Sequence, residues 1–125
     1  MIEIKTSKIS DGAFNRGVFA TRDIKKGELI HEAPVIPYPN RDHDFIEKTI
    51  LDDYVFEYGQ NHSCVVLGYG ALFNHSYQPN AEYDINFSNH TFTFSAYKDI
   101  KVGEEIFINY NGEVDNNDPL WFNID

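Results

Sequence analysis

A chain of 125 residues with a formal net charge of −10 is one domain's worth of polypeptide and a poor partner for nucleic acid, because phosphate binding needs a basic face. Ten Phe, eight Tyr and one Trp supply the apolar mass for one core, able to bury about 65–70% of the unfolded surface. The lone Cys64 leaves no intrachain disulfide and no Cys-based zinc site. The surface acidity either only keeps the chain soluble or steers a basic, lysine-rich partner toward it.

The first residues, Met1-Ile2-Glu3-Ile4-Lys5, lack the apolar core of a signal peptide, and no apolar run reaches the ~18 residues of a membrane span. The expectation is a soluble, intracellular protein in a reducing compartment, with no membrane partner. Next come Gly17-Val18-Phe19-Ala20 and then Arg22-Asp23-Ile24-Lys25-Lys26-Gly27-Glu28-Leu29-Ile30. The latter is echoed by Lys98-Asp99-Ile100-Lys101-Val102-Gly103-Glu104-Glu105-Ile106, with identity at six of nine positions. Each copy reads as a polar approach, a glycine turn and entry into a strand. Two copies are too few for a solenoid.

Residues 44–57 are ambiguous, since Phe45, Ile46, Ile50, Leu51 and Tyr54 fit a helical face in a segment of only a few turns. Ala71-Leu72-Phe73-Asn74 predicts a short helical turn. Strand alternation follows: Tyr83, Ile85 and Phe87, then Phe92, Phe94 and Ala96, with Ser88-Asn89-His90 as the hairpin turn between them. Ile106, Ile108 and Tyr110 alternate in a last strand, which sets Tyr110 on the face of the two isoleucines. The sum is mainly β, with little helix.

The most informative segment is Asn74-His75-Ser76-Tyr77-Gln78-Pro79-Asn80. Its first tripeptide fits an N-glycosylation acceptor, as do Asn61-His62-Ser63 and Asn89-His90-Thr91, but nothing else points to secretion. It also fits a hydrogen-bonded turn or a cofactor-binding segment. Its setting favours the last: Leu72-Phe73 before it, Pro79-Asn80 at fixed spacing, and Gly103-Glu104-Glu105-Ile106-Phe107-Ile108-Asn109-Tyr110 thirty residues on. Together with Gly17-Val18-Phe19-Ala20 upstream, this pattern resembles the SET-domain family of protein-lysine methyltransferases, from about residue 12 to about residue 112.

The resemblance implies a SET-like (β-clip) fold of short sheets with a knot-like threaded C-terminal segment. It implies a catalytic domain over 1–112 and an acidic tail over 113–125. The implied activity is transfer of methyl from S-adenosylmethionine to lysine in a basic protein, histone or histone-like. Carried over by residue, Asn74 holds the methionine end of the cofactor, His75 holds adenine through its backbone, and Arg16 and Gly17 contribute backbone from the N-terminal loop. Tyr110 lines the transfer site, Tyr54 walls the lysine channel, and Ile108 stands where a tyrosine would limit methylation, so more than one methyl is expected. The family's Gly-x-Gly is here Asn15-Arg16-Gly17, and its cysteine-rich flanks are absent. Trp121-Phe122 then either covers adenine, packs on the core or fills a contact in a homodimer. A short form of this kind fits the cytoplasm or, for a viral protein, a host nucleus.

The chemistry suits these groups. An attacking amine must first lose its proton, which costs about 4.6 kcal/mol at pH 7 from an unperturbed lysine pKa of ~10.4. An apolar aromatic channel and a nearby sulfonium both disfavour the ammonium. Holding nitrogen, carbon and sulfur in line contributes roughly 7–11 kcal/mol. No metal is needed, and the histidines at 31, 43, 62, 75 and 90 show no ligand spacing. Adjacent Glu104 and Glu105 face opposite sides of a strand, which argues against a paired acid–base site. Gly68-Tyr69-Gly70 lacks the third glycine of a dinucleotide loop. The alternative is a catalytically inactive SET-like module that binds a lysine-containing peptide or protein.

Overall fold

The structure, a computed structural model, describes residues 1–9 and 15–120. Nine strands form two sheets among the described residues. In the first, β1 (Ile2–Thr6) and β2 (Arg16–Ala20) pair antiparallel, β9 (Glu105–Ile108) lies on β2, and β6 (Asn74–His75) lies parallel to β9. The C-terminal strand is thus inserted between an N-terminal strand and the start of the polar heptapeptide. The second sheet runs β4 (Val55–Glu57), β5 (His62–Val66), β3 (Leu29–Pro39), β8 (Thr91–Ala96), β7 (Ala81–Asn86). The mainly β expectation holds.

The eleven-residue β3 carries Pro34, Pro37 and Pro39, residues that a central strand normally excludes for want of an N–H. Here the strand divides its partners. Leu29–Pro34 pair with β8, while Val35–Pro39 pair with β5. Each half therefore has one neighbour, and the sheet curls where the partner changes. A register shift between Leu29 and His31 resets the alternation, so that Ile30 and then Ala33 and Val35 all turn inward.

The core lies between the sheets. Phe92, Phe94 and Ala96 of β8 face it with Val18, Ile106, Ile108, Val66 and Phe73, all essentially buried. Fully burying such side chains stabilises by roughly 1.5–3 kcal/mol each. The hairpin turn stands as expected, with His90 at φ 55°, but β7 ends at Asn86. Phe87 leaves the strand and packs on Tyr58, with ring centroids 4.8 Å apart. Likewise β9 stops at Ile108, and Tyr110 sits just past it against the same core.

The segment 44–57 is not one helix. It divides into α1 (His43–Ile46), a 3-10 turn (Ile50–Tyr54) capped by the Thr49 side chain, and β4. Its supposed apolar face is largely outside, with Phe45 74% and Ile50 64% exposed. Four residues cannot make a stable amphipathic helix, and the chain instead uses Val55 and Phe56 to enter the core.

The internal echo is a structural pair. Ile24 and Ile100 exchange backbone hydrogen bonds of 2.7 Å in both directions. Lys26 N donates to Asp99 Oδ1 at 2.8 Å, and Val102 N donates to Asp23 Oδ1 at 2.9 Å. Gly27 and Gly103 turn at φ 88° and 87°, a conformation in which glycine has no steric cost. The two copies brace one another about a local two-fold.

Candidate functional site

Two motifs remote in sequence become one site through the parallel pairing of Asn74 with Phe107 and His75 with Ile108. Ser76 N donates to Ile108 O at 2.9 Å. The Asn80 side chain bonds the β9 backbone like a strand partner, donating Nδ2 to Glu105 O at 2.9 Å and accepting Phe107 N at 2.8 Å. Both ends of the heptapeptide therefore grip β9.

Tyr110 is held twice by this segment. Its backbone N donates to His75 Nδ1 at 3.0 Å, and its hydroxyl donates to Phe73 O at 2.5 Å. Burial raises the Tyr110 pKa above the usual phenol value, helped by the nearby Tyr54, Glu105, Tyr83 and Asp53, so the phenol stays protonated near neutrality. Burial pushes the His75 pKa down. Since Nδ1 accepts, the ring is neutral with its proton on Nε2, which finds no polar partner among the described residues. Tyr77 instead meets the His75 ring nearly at right angles, with centroids 4.4 Å apart.

Aromatic groups surround the Tyr110 ring. Phe56 stands edge-on at 5.7 Å, and Tyr83 stands edge-on to Phe56 at 5.6 Å. Tyr54, half-buried at the end of its 3-10 turn, lies near enough for its charge to oppose ionisation of Tyr110. A cavity of about 790 Å³ opens beside Tyr110, with Glu57, Asp84 and Asp118 among its walls. The segment after Tyr110 is fastened over this side: Asn109 donates to Asn116 O at 2.6 Å, Asn111 to Asp118 O at 2.8 Å, and Tyr77 to the same carbonyl at 3.0 Å.

Asn74 Nδ2 donates to Arg16 O at 3.0 Å and to Glu105 Oε2 at 2.7 Å. Gly17 lies against them, and a Cβ there would stand 2.2 Å from Glu105 Oε2. Asn15 Nδ2 donates to Ser7 O at 2.8 Å. The bare Gly17, the Asn74 side-chain oxygen without a hydrogen bond among the described residues, and the adjacent carboxylate suit a ligand bearing an ammonium group.

The structure thus brings together Arg16, Gly17, Asn74, His75 and Tyr110, with Tyr54 nearby. Ile108 is wholly buried in the core, and Trp121 lies outside the described residues. Sequence reasoning missed Phe56, Tyr83, Ser7 and the inward role of Glu105. The alternation of Glu104 and Glu105 was the available signal: Glu104 Oε1 accepts Lys101 N on the outer side, at 2.6 Å. No three His, Cys, Asp or Glu side chains among the described residues are arranged to hold a metal ion, and none of their helices is long and apolar enough to cross a membrane.

Comparison with known proteins gives a consistent answer. The SET domain family model matches residues 15–111. A histone-lysine N-methyltransferase of Schizosaccharomyces pombe, specific for H3 lysine-37, is 29% identical over 108 residues, covering 86% of this chain and 69% of the relative. The crystal structure of a candidate histone methyltransferase of Plasmodium falciparum is 35% identical with a TM-score of 0.68, covering 87% of this chain and 91% of that one. Polycomb Repressive Complex 2 of Chaetomium thermophilum, in an autoinhibited conformation bound to S-adenosylmethionine, superposes with a TM-score of 0.72 at 26% identity. The match covers 87% of this chain but only 15% of the Polycomb chain.

Proposed function

Because the chain belongs to the SET-domain family, we propose that it is a protein-lysine N-methyltransferase that uses S-adenosylmethionine and acts on a histone or another basic protein. The observation that carries this reading is the joining of Asn74-His75 to Tyr110 by the β6–β9 pair and by the Tyr110 N–H to His75 Nδ1 bond. It joins the polar group around Asn74 to the tyrosine that borders a cavity with acidic walls.

When bound, S-adenosylmethionine supplies a methyl group on a positively charged sulfur. Asn74, with the backbone of Arg16, Gly17 and His75, holds the cofactor. The acidic walls at Glu57, Asp84 and Asp118 attract a lysine-bearing segment, and the net charge of −10 steers it from a distance. Tyr54, Phe56 and Tyr83 then offer the side chain a poorly hydrated surface, which favours the neutral amine. Tyr110, with its raised pKa, is no base at neutral pH. Its hydroxyl orients the amine, and the lysine proton leaves to solvent before transfer. Ile108 places no hydroxyl two residues before Tyr110, so the site accepts an amine already methylated. Trp121 is the residue this reading assigns to covering the adenine.

The test is a methylation assay on recombinant histones, read by mass spectrometry for lysines gaining one or more methyl groups. Tyr110→Phe should lower the rate by about 100-fold or more while leaving cofactor affinity nearly unchanged. Full activity in that variant refutes the role of Tyr110. Cofactor binding with no transfer to any basic protein would favour the inactive module. Trp121 is the only tryptophan, so cofactor should change its fluorescence, and an unchanged spectrum would remove it from the site.

A further inference from the structure

Asn74 has a side chain with two chemically opposite ends, and which end meets a ligand decides what can be bound. Its nitrogen has two hydrogens, and both are used: one on Arg16 O at 3.0 Å, the other on Glu105 Oε2 at 2.7 Å. Reversing the amide would bring its oxygen against a carbonyl and a carboxylate at those distances, acceptor against acceptor. The flip is therefore blocked, and Oδ1 is left as an acceptor without a hydrogen bond among the described residues.

Glu105 is itself held from behind. Ser7, 2% exposed, donates its hydroxyl to Glu105 Oε1 at 2.8 Å and Oε2 at 3.1 Å. Ser7 is in turn fixed by Asn15, which donates Nδ2 to Ser7 O and accepts Ser7 N. Space for the carboxylate exists only because residue 17 lacks a side chain: a Cβ would come within 2.2 Å of Oε2 and 2.9 Å of Asn74 Nδ2. Hydrogen bonds from an amide to a carboxylate also polarise the amide and strengthen its oxygen as an acceptor.

We propose that Glu105, backed by Ser7, is a positioning residue that locks the Asn74 amide with its oxygen toward the cofactor, so that the site selects a ligand carrying an ammonium group. The inference rests on the proposed use of S-adenosylmethionine. A merely structural strut between the strands would matter equally for any nucleoside ligand. A locked amide matters only for ligands that have an ammonium to donate.

The experiment uses the full chain, wild type and with Glu105→Ala or Glu105→Gln. Calorimetry measures binding of S-adenosylhomocysteine and of its derivative with hydrogen in place of the α-amino group. Glu105→Ala should weaken the amino-bearing ligand by about tenfold and the deaminated one by less than about twofold on the same scale. Glu105→Gln keeps the side-chain volume and decides the matter if the alanine variant does not fold, with a smaller loss confined to the amino-bearing ligand. Equal weakening of both ligands, or of neither, overturns the proposal. Nitrogen-edited NMR of the ligand-free protein gives a second reading, because the Asn74 side-chain amide hydrogens should be protected from exchange in wild type and exposed in Glu105→Ala. Unchanged protection overturns the lock whatever the ligand. Failure of the wild type to bind either ligand overturns the cofactor reading itself, and the NMR result then judges the Glu105–Asn74 contact separately.

Discussion

Gly70→Ala tests how tightly the approach to the site is packed. Gly70 begins the 3-10 turn Gly70–Leu72, which delivers Phe73, the residue whose carbonyl holds the Tyr110 hydroxyl. A Cβ at this position would stand 2.1 Å from Val66 Cγ1, 3.2 Å from the Ala33 Cβ and 3.3 Å from a Phe94 ring carbon. Carbon atoms prefer roughly 3.5–4.0 Å, so one side must give by more than an ångström. Val66 is 2% exposed and stiff at χ1, and overpacking of this kind costs about 1–3 kcal/mol. The backbone of Gly70 is not left-handed, so alanine recovers about 0.4–1 kcal/mol of chain entropy. The net expectation is a loss of about 1–2 kcal/mol. For 125 residues the unfolding entropy is roughly 0.26 kcal/mol per kelvin, so Tm falls by about 4–8 °C. Denaturant unfolding of Gly70→Ala, Val66→Ala and the double variant measures the coupling. Val66→Ala removes the clashing methyl, so the double variant should be more stable than the sum of the singles predicts by about 1 kcal/mol. Additive losses, or a neutral Gly70→Ala, would refute the packing argument.

Stability should fall in mild acid because burial holds the pKa of both His31 and His75 below the usual 6.5. Above about pH 6.5 neither state is protonated and stability is complete; below it the unfolded chain takes up protons that the folded chain resists, until pH passes the depressed values. His31→Gln and His75→Asn, which can still accept the Tyr69 and Tyr110 N–H groups, should flatten urea-unfolding stability between about pH 5 and 6.5, and an unchanged slope would count against the assignment. Asp23→Ala and Asp99→Ala remove two-fold-related acceptors and should each cost about 0.5–1.5 kcal/mol; a loss in one with none in the other would break the two-fold account. Burial pushes the Cys64 thiol up to about 12, so a disulfide reagent at pH 8 should label it only as fast as the protein unfolds. Immediate stoichiometric labelling of the native protein would show that the thiol is reachable.

The regions legible in sequence were those where one strand face meets the core without interruption. Phe92, Phe94 and Ala96 alternate cleanly because β8 is flanked on both sides and has one wet face. β3 was legible only at its start, since a strand rich in proline is tolerated only where the partner changes. Residues 44–57 stayed ambiguous because Phe45, Ile50 and Leu51 stay outside, leaving helical spacing with nothing to pack against. Asn74, His75 and Tyr110 stood out through a local motif. The Ser7–Glu105 contact did not, because it joins residues ninety-eight positions apart, and no local pattern marks such a pair.

The insertion of β9 beside β2 sets the order in which this molecule can be made. Val18 and Phe19 wait for Ile106 and Glu105, so everything up to β9 must leave the ribosome before the first sheet can close. Until then β2 presents an open, apolar edge, the kind of surface that invites pairing with the wrong strand. The reciprocal turns at Ile24 and Ile100 likewise join only once both copies have been made. A chain cut short before β9 would accordingly lose far more than its last few residues, remaining a sticky fragment with neither of its two motifs assembled.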